Sequence, residues 1–463
     1  MKLSNEEFTF GFFKKRNLLV FFAVMSIYIG VSLGNSSAFL FGIYCLILLL
    51  ITFFISYFSA KGIRCKRNHL PRTFEGTEVD VHISLENDSF YPLYMVEIRD
   101  VFVPGESYYV NILAQYKIDT NHFIDLKYRG KCIHHRGLYT LGPIITHSSD
   151  PLGVIPIRRE LSVISDLMVY PNTKEIKGMI LYELGTLFNI GQEATINSGV
   201  SAEFSGVREY RYGDNFRHIH WGLSAKHNKW IIKEFEETVV TEVSIFVDLY
   251  RYSHTGIGDV STLEYAVKVA ASVAELAIEN SHQVRVFAMG LQGARLSYNV
   301  GTELCSVPTT PFDKGDYKEG SDVPLGAGDF HLITILDKLT FYRIGTIGSF
   351  ENEFIEKVNY IRRGSTIVLI TCSSNFKLDK IMETLKELIA NSVRIIFIII
   401  DDRTFIKVWK RQDELQREAM PIYELEKILK ENECIVYILK KDDEIGIELS
   451  KSICHSELVS ESH

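Results

Sequence analysis

Between Ser201 and Lys226 the chain reads Ser-Ala-Glu-Phe-Ser-Gly-Val-Arg-Glu-Tyr-Arg-Tyr-Gly-Asp-Asn-Phe-Arg-His-Ile-His-Trp-Gly-Leu-Ser-Ala-Lys, a dense alternation of charged and aromatic groups. Arg208, Arg211 and Arg217 lie close in sequence to Glu203, Glu209, Asp214 and Glu234. A guanidinium grips a carboxylate through a planar fork, so this set is suited to a paired network that braces two bodies or meets a partner. Gly213-Asp214 reads as a turn into a helix, with Asp214 capping the first free N–H groups and Phe216, Ile219 and Leu223 on one apolar face. Hydrolytic chemistry fits less well. His218 and His220 miss the four-residue spacing by which a helix offers two imidazoles to zinc. A Gly-x-Ser-x-Gly elbow is absent, and the cysteines are scattered, never forming a Cys-x-x-Cys pair.

These groups need a frame, and the 463 residues allow two or three domains. A net charge of −8 argues against a general nucleic-acid binder, which needs a surplus of Lys and Arg for phosphate. Two runs, Leu18 to Leu33 and Ala38 to Phe58, carry no charged residue. Each approaches the ~20 residues that cross a bilayer. Lys14, Lys15 and Arg16 precede the first run, and Lys61, Arg64, Lys66 and Arg67 follow the second, whereas the turn between them has no basic residue. The positive-inside rule then predicts a multi-pass protein of the cell (inner) membrane, with both termini and the main body in the cytoplasm.

Past Lys61 the apolar period becomes two, as in Val79, Val81, Ile83 and Leu85, and turn signals recur up to Tyr170. This pattern predicts a small antiparallel β-sandwich of immunoglobulin-like architecture over residues 61–170. From about Val240, apolar strands alternate with helical patterns: Val243–Val247, a helix over Thr262–Glu279, then Val284–Ala288, Thr366–Ile370, Val393–Ile400 and Cys434–Ile438. That alternation predicts a doubly wound α/β domain over 241–449. Residues 1–60 form the helical hairpin, 171–240 the connecting segment with the charged motif, and 450–463 a polar tail. Ligands in such sheets bind at the carboxyl ends of strands, where Asp248 and Asp401-Asp402 fall. Gly326-Ala327-Gly328, preceded by Pro308, Pro311 and Pro324, reads as a loop, not a nucleotide site.

The stretch from 201 to 226 resembles the signature of a widespread bacterial family, domain of unknown function 58. Its pattern, roughly R-E-Y-x-x-G-D-x-x-R-x-I-x-W-x-x-S-A-R, is met by Arg208, Glu209, Tyr210, Gly213, Asp214, Arg217, Ile219, Trp221, Ser224 and Ala225. Lys226 stands where the family usually has Arg, and His220 where an acid is common. The resemblance extends to the two N-terminal helices, to Ser149-Asp150-Pro151-Leu152-Gly153 and to Val169-Tyr170-Pro171. It implies a C-terminal domain similar to the von Willebrand factor A fold and partnership with AAA+ ATPases of the MoxR type. Domains of that fold often hold Mg²⁺ through an Asp-x-Ser-x-Ser run. Here Asp248 is present, but Tyr250 and Tyr252 occupy the serine positions and Cys372 stands where a second Asp is expected. The expectation is therefore no cofactor, with Asp248 as a degenerate metal position.

The function expected from these readings is a non-enzymatic, membrane-anchored scaffold or adaptor. Its body would bind a MoxR-type ATPase or its client, with Arg208, Glu209, Tyr210, Gly213, Asp214, Arg217, Trp221 and Ala225 as the partner-binding or domain-bracing set. The alternative is a Mg²⁺-dependent adhesion module of the von Willebrand A type built on Asp248.

Overall fold

The computed structural model describes residues 6–179, 181, 202–211, 216, 219–227, 229–237, 241–257, 260–290, 322–345, 348–373, 376–405 and 421–451. Met1–Asn172 and Thr173–His463 form two compact units.

The first unit begins with two helices, α1 (Glu6–Leu33) and α2 (Ser36–Lys61). Over Lys15–Leu33 and Ser36–Lys61 both are long and apolar enough to span a membrane. Gly34, at φ +61°, makes the turn between them. Asn35 then caps α2, its side-chain oxygen accepting from the N–H groups of Ser37 and Ala38 at 3.0 and 3.2 Å. Small residues let the helices approach closely. A Cβ on Gly42 would lie 2.5 Å from Ile27, and one on Gly30 would meet the backbone of Phe39.

Ten strands follow: β1 (Ile63–Asn68), β2 (Arg72–Phe74), β3 (Glu78–Asn87), β4 (Leu93–Val101), β5 (Tyr109–Ile118), β6 (Phe123–Lys131), β7 (Gly137–Leu141), β8 (Ile144–Ser149), β9 (Ile157–Leu161) and β10 (Ser165–Tyr170). They make three small sheets, ordered β1-β3-β6, β2-β10-β7 and β5-β4-β8-β9. The alternation legible in β3 is real: Val79, Val81, Ile83 and Leu85 are buried and join one core with Leu93, Val96, Ile98, Leu141, Ile144, Leu167 and Val169. Inside this region lies an ion pair with no solvent access, Arg67 with Asp100. Arg67 Nε donates to Asp100 at 3.0 Å, while its Nη1 donates to the carbonyls of Leu141 and Val163, both at 3.0 Å. The Tyr128 hydroxyl donates to Asp100 at 2.7 Å. One side chain thus joins β1 to β4 and β7, and its carboxylate reaches β6.

The second unit contains a hairpin, β11 (Ala202–Glu209) and β12 (Ile231–Glu237), with α3 (Trp221–His227) between them in sequence. Beyond it come β13 (Glu242–Asp248), the short pair β14 (Gly256–Ile257) and β15 (Val260–Ser261), α4 (Thr262–Glu279), β16 (Gln283–Met289) and β17 (Val323–Gly326). Then follow α5 (Asp329–Phe341), α6 (Phe350–Lys357), β18 (Thr366–Cys372), α7 (Met382–Ala390), β19 (Arg394–Ile400), α8 (Ile422–Glu431), β20 (Ile435–Leu439) and α9 (Ile445–Ser450). Six strands form one sheet in the order β17-β16-β13-β18-β19-β20, parallel except for β17. β18 and β19 are apolar and almost wholly buried, as strands covered on both faces must be. α4 starts where Ser261 accepts from the Glu264 N–H at 3.3 Å, and its span matches the periodic reading.

One expectation fails here. Gly326 ends strand β17, and Gly328, at φ +83°, caps α5, so Gly326-Ala327-Gly328 is not simply a loop. Pro324 obscured the strand in the sequence. An edge strand tolerates proline because one side of its backbone has no ladder partner.

Arg67→Met, which strands the Asp100 carboxylate in the core, should cost roughly 3–5 kcal/mol. The double change Arg67→Met/Asp100→Leu should recover most of that loss, as read by denaturant unfolding of the purified chain.

Candidate functional site

Two places gather polar and aromatic side chains that the core does not need. The first is the β11–β12 hairpin. The Tyr210 N–H donates to the Trp230 carbonyl at 2.8 Å, and the His220 N–H donates to Ile231 at 2.8 Å. Ile219 bridges to Ile232. The turn is sealed by Ser224, whose hydroxyl accepts from the Ile231 N–H at 2.9 Å and donates to the Ile231 carbonyl at 3.3 Å. His220, where the family signature commonly has an acid, does an acid's structural job. Its Nδ1 accepts from the Leu223 N–H at 3.2 Å, in the manner of a helix cap.

A helix begins at Trp221, just after Ile219 pairs with Ile232, and the turn expected at Gly213-Asp214 lies outside the described residues. Phe216 leaves the apolar face expected of it and stacks on Tyr210, with ring centroids 5.4 Å apart. Trp230 meets both rings edge-on, at 5.3 and 5.8 Å. Phe216 and Trp230 are more than half exposed, and Trp221 is 68% exposed. Clustered exposed aromatics mark a surface suited to a partner more than singly scattered ones do.

Of the motif's other residues, Glu209 pairs with Lys229 at 2.7 Å, both side chains in solvent. That pairing holds the Glu209 carboxyl below and the Lys229 ammonium above their usual ranges. Arg208 donates to the Glu209 carbonyl at 3.2 Å. Ala225 is exposed on α3. Gly213, Asp214 and Arg217 lie outside the described residues. Lys229 and Trp230 were not singled out from sequence. Their signal was position: the strand returning from the motif must place residues 229 and 230 beside 209 and 210.

The second place is the carboxyl edge of the sheet, around Asp248. Its carboxylate is buried at the end of β13, accepting from the Tyr250 N–H at 3.0 Å and the Thr371 hydroxyl at 2.8 Å. The Ser253 hydroxyl adds a further bond. A small pocket there is lined by Asp248, Ser253, Ser349, Glu351, Thr371 and Lys377. Glu351 is likewise occupied, accepting from the Lys377 N–H at 2.7 Å and from the Ser349 hydroxyl. Tyr250 points its hydroxyl at Glu353, 2.8 Å away, and Tyr252 is exposed. These residues do not fit a Mg²⁺ site. Two tyrosines replace the serine ligands, both oxygens of Asp248 already accept protein hydrogen bonds, and among the described residues no three His, Cys, Asp or Glu side chains converge.

Beside Asp248, His254 directs Nε2 at the Asp248 carbonyl, 2.6 Å away, and its Nδ1 faces the Thr262 hydroxyl at 3.1 Å and Cys372 Sγ at 3.7 Å. Burial, with Asp248 and Asp402 nearby, pushes the Cys372 thiol well above its ordinary range. Burial likewise pushes Cys65 and Cys434 up to about 12 and Cys132 to about 11. Burial also lowers His254 and raises Asp248, each partly opposed by the other. Asp401, at the end of β19, is raised by burial as well.

The family model described as Protein of unknown function DUF58 matches residues 206–297, which include part of the hairpin, β13 and α4, and supports the resemblance carried by the motif. No curated protein matches the chain. Among solved structures, the alkylpurine DNA glycosylase AlkC of Pseudomonas fluorescens aligns at 9% identity over 23% of this chain and 30% of that one, with TM-score 0.17. A CARDB domain from Pyrococcus furiosus aligns at 11% identity over 23% and 91%, with TM-score 0.17. A GH20 exo-β-N-acetylglucosaminidase of Vibrio harveyi aligns at 11% identity over 73% and 57%, with TM-score 0.18. Likenesses this weak carry no argument about fold or activity.

Ser224→Ala removes both bonds to Ile231 and leaves its N–H without that acceptor. A loss of roughly 1–3 kcal/mol in local stability should follow, read as faster amide exchange at Ile231. The pH dependence at His254 has a definite sign. Its folded value lies below its unfolded value, so below about pH 6.5 the unfolded chain takes the proton first and the fold loses stability. Asp248, raised on folding, acts oppositely: the unfolded carboxyl ionises first as pH rises above about 3.9. His254→Gln should therefore shrink the fall in Tm between roughly pH 7.5 and 5.5.

Proposed function

We propose that this chain is a non-enzymatic, membrane-anchored adaptor whose body binds a partner protein through the β11–β12 hairpin. The observation that carries the reading is the cluster of Tyr210, Phe216 and Trp230, with the exposed Trp221 on α3 between the strands of the same braced hairpin, within the segment matched by the family model. Tryptophan and tyrosine dominate the energetics of protein interfaces because they remove much apolar area from water at little entropic cost. By the family resemblance, the partner is an AAA+ ATPase of the MoxR type or its client.

The rest of the architecture agrees with this reading. The sheet order, with the third strand reversed at one edge and the first strand in the interior, supports the von Willebrand A-like assignment. The three small sheets around one core support an immunoglobulin-like sandwich. Lys15 and Arg16 before the first apolar run, with Lys61 and Arg64 after the second, support a hairpin spanning the inner membrane with both ends and the body in the cytoplasm.

The test is recovery of partners by the tagged full chain from native membranes, with and without ATP, compared with Trp221→Ala. Truncating a central interface aromatic costs about 2 kcal/mol, or about thirtyfold in affinity. Recovery of an AAA+ ATPase by the parent and its loss in the variant is expected. Equal recovery by both would remove the hairpin from the interface.

A further inference from the structure

We propose that the end of the β-sandwich from which α2 emerges is a lipid-contacting face, seating Phe90, Tyr91, Phe123 and Leu152 among phospholipid headgroups and upper acyl chains. The proposal rests on α1 and α2 spanning the bilayer.

Strand direction defines the end. β1 starts at Ile63, immediately after α2, and Ile63 lies opposite Asn87, the last residue of β3. Glu86 lies opposite Phe123, which opens β6. Leu93, opening β4, lies opposite Ile118, which closes β5, and Tyr94 lies opposite Ser149, which closes β8. Residues 88–92, 119–122 and 150–156 are therefore the loops on the α2 side.

Two of these loops are fastened to the helix. Ser59 donates to the Pro92 carbonyl at 2.9 Å, and Ser56 donates to the Ile155 carbonyl at 3.0 Å. A Cβ on Gly62 would collide with Ser89. From the sandwich side, Arg159 donates to the Ala60 carbonyl at 2.7 Å, satisfying part of the helix's open C-terminal end. The loops are also fixed internally. Asn87 donates to the carbonyls of Tyr91, Ile118 and Asp119 and accepts from the Ser89 N–H. Asp150 accepts from the N–H groups of Leu152, Val154 and Ile155 at 3.0, 2.8 and 2.7 Å.

The level follows from helix rise. Ser56 precedes Lys61 by five residues, about 7.5 Å along the axis. The uncharged run of α2 ends at Ala60, immediately before Lys61. Each interfacial zone is about 5–7 Å deep, so loops gripping Ser56 and Ser59 sit at the headgroup level. The side chains displayed there suit that medium. Phe90 is 97% exposed and Phe123 67%, with Tyr91 and Leu152 about half exposed. Aromatic rings favour the boundary between hydrocarbon and water. The Lys61 ammonium, 5.3 Å from the Tyr57 ring centroid, adds a group that favours phosphate, while Arg64 is paired with Asp88 at 2.6 Å. Continuity with α2 selects a bilayer over a protein partner, because any occupant of this face must share the space beside a helix already in lipid.

The test uses the full chain in phosphatidylcholine vesicles, with and without acyl chains brominated near the headgroup, and reads the tryptophan fluorescence each variant adds to the parent. Phe41→Trp, on α2, reports spanning, and Phe90→Trp reports the proposed face. Tyr109→Trp reports the far end of the sandwich, about 30 Å away along strands of ten residues. Quenching of Phe41→Trp and Phe90→Trp, with Tyr109→Trp unaffected, is expected. Quenching at position 41 but not at 90 overturns the lipid-contacting face while leaving the spanning reading intact, and points to a second copy or a protein on that surface. Quenching at neither overturns both. Equal quenching at all three positions means adsorption without orientation and also overturns the proposal.

Discussion

A guanidinium shut off from water, Arg67, and the carboxylate that holds it, Asp100, tie the first unit of the chain together. Arg67 follows the end of α2 by six residues, in the strand that continues the helix into the sandwich. Its bonds reach β4 directly and, through carbonyls, the end of β7 and the segment before β10. Neither charge tolerates the interior alone, so the two groups and their carbonyl acceptors fix one arrangement of strands around them. The loops at one end of the sandwich are in turn held to α2 by the bonds of Ser56 and Ser59 to Ile155 and Pro92.

In the second unit the division of labour is different. The sheet interior, with Phe246, Ile367, Leu369, Phe397 and Ile399 fully or nearly fully buried, supplies stability and no chemistry. Burial of each such side chain is worth about 1.5–3 kcal/mol. At the carboxyl edge, where α/β sheets usually work, Asp248 is bound by a backbone amide and hydroxyls, Glu351 by Lys377 and Ser349, and Asp402 by Ser373, while one buried oxygen of Asp401 has no hydrogen-bond partner among the described residues. Exposed aromatic rings stand instead on the β11–β12 hairpin, at Phe216 and Trp230.

Much of this was legible in the sequence wherever one periodicity governed. The uncharged runs are helices α1 and α2, the alternation at 79–85 is β3, and the apolar face of 262–279 is α4 with the same bounds. Reading failed where long-range pairing overrode local pattern. Ile219 shares a helical spacing with Leu223 yet pairs with Ile232 as a bridge, outside α3, which runs from Trp221. β17 hides behind Pro324, because only its place at the sheet edge makes a proline acceptable. The bonds that occupy Asp248 come in part from Thr371, a contact no local spacing reveals. Trp230 lies outside the motif and becomes part of its aromatic group only once the hairpin closes.

The most direct test of the account is photocrosslinking in intact cells from benzoylphenylalanine placed at Phe216, with the same probe at Tyr423 on α8 as an exposed control in the second unit. The account predicts a crosslink to an AAA+ ATPase from position 216 and none from 423. A folded, membrane-inserted chain that crosslinks no such protein from 216, or crosslinks it equally from both positions, would contradict it.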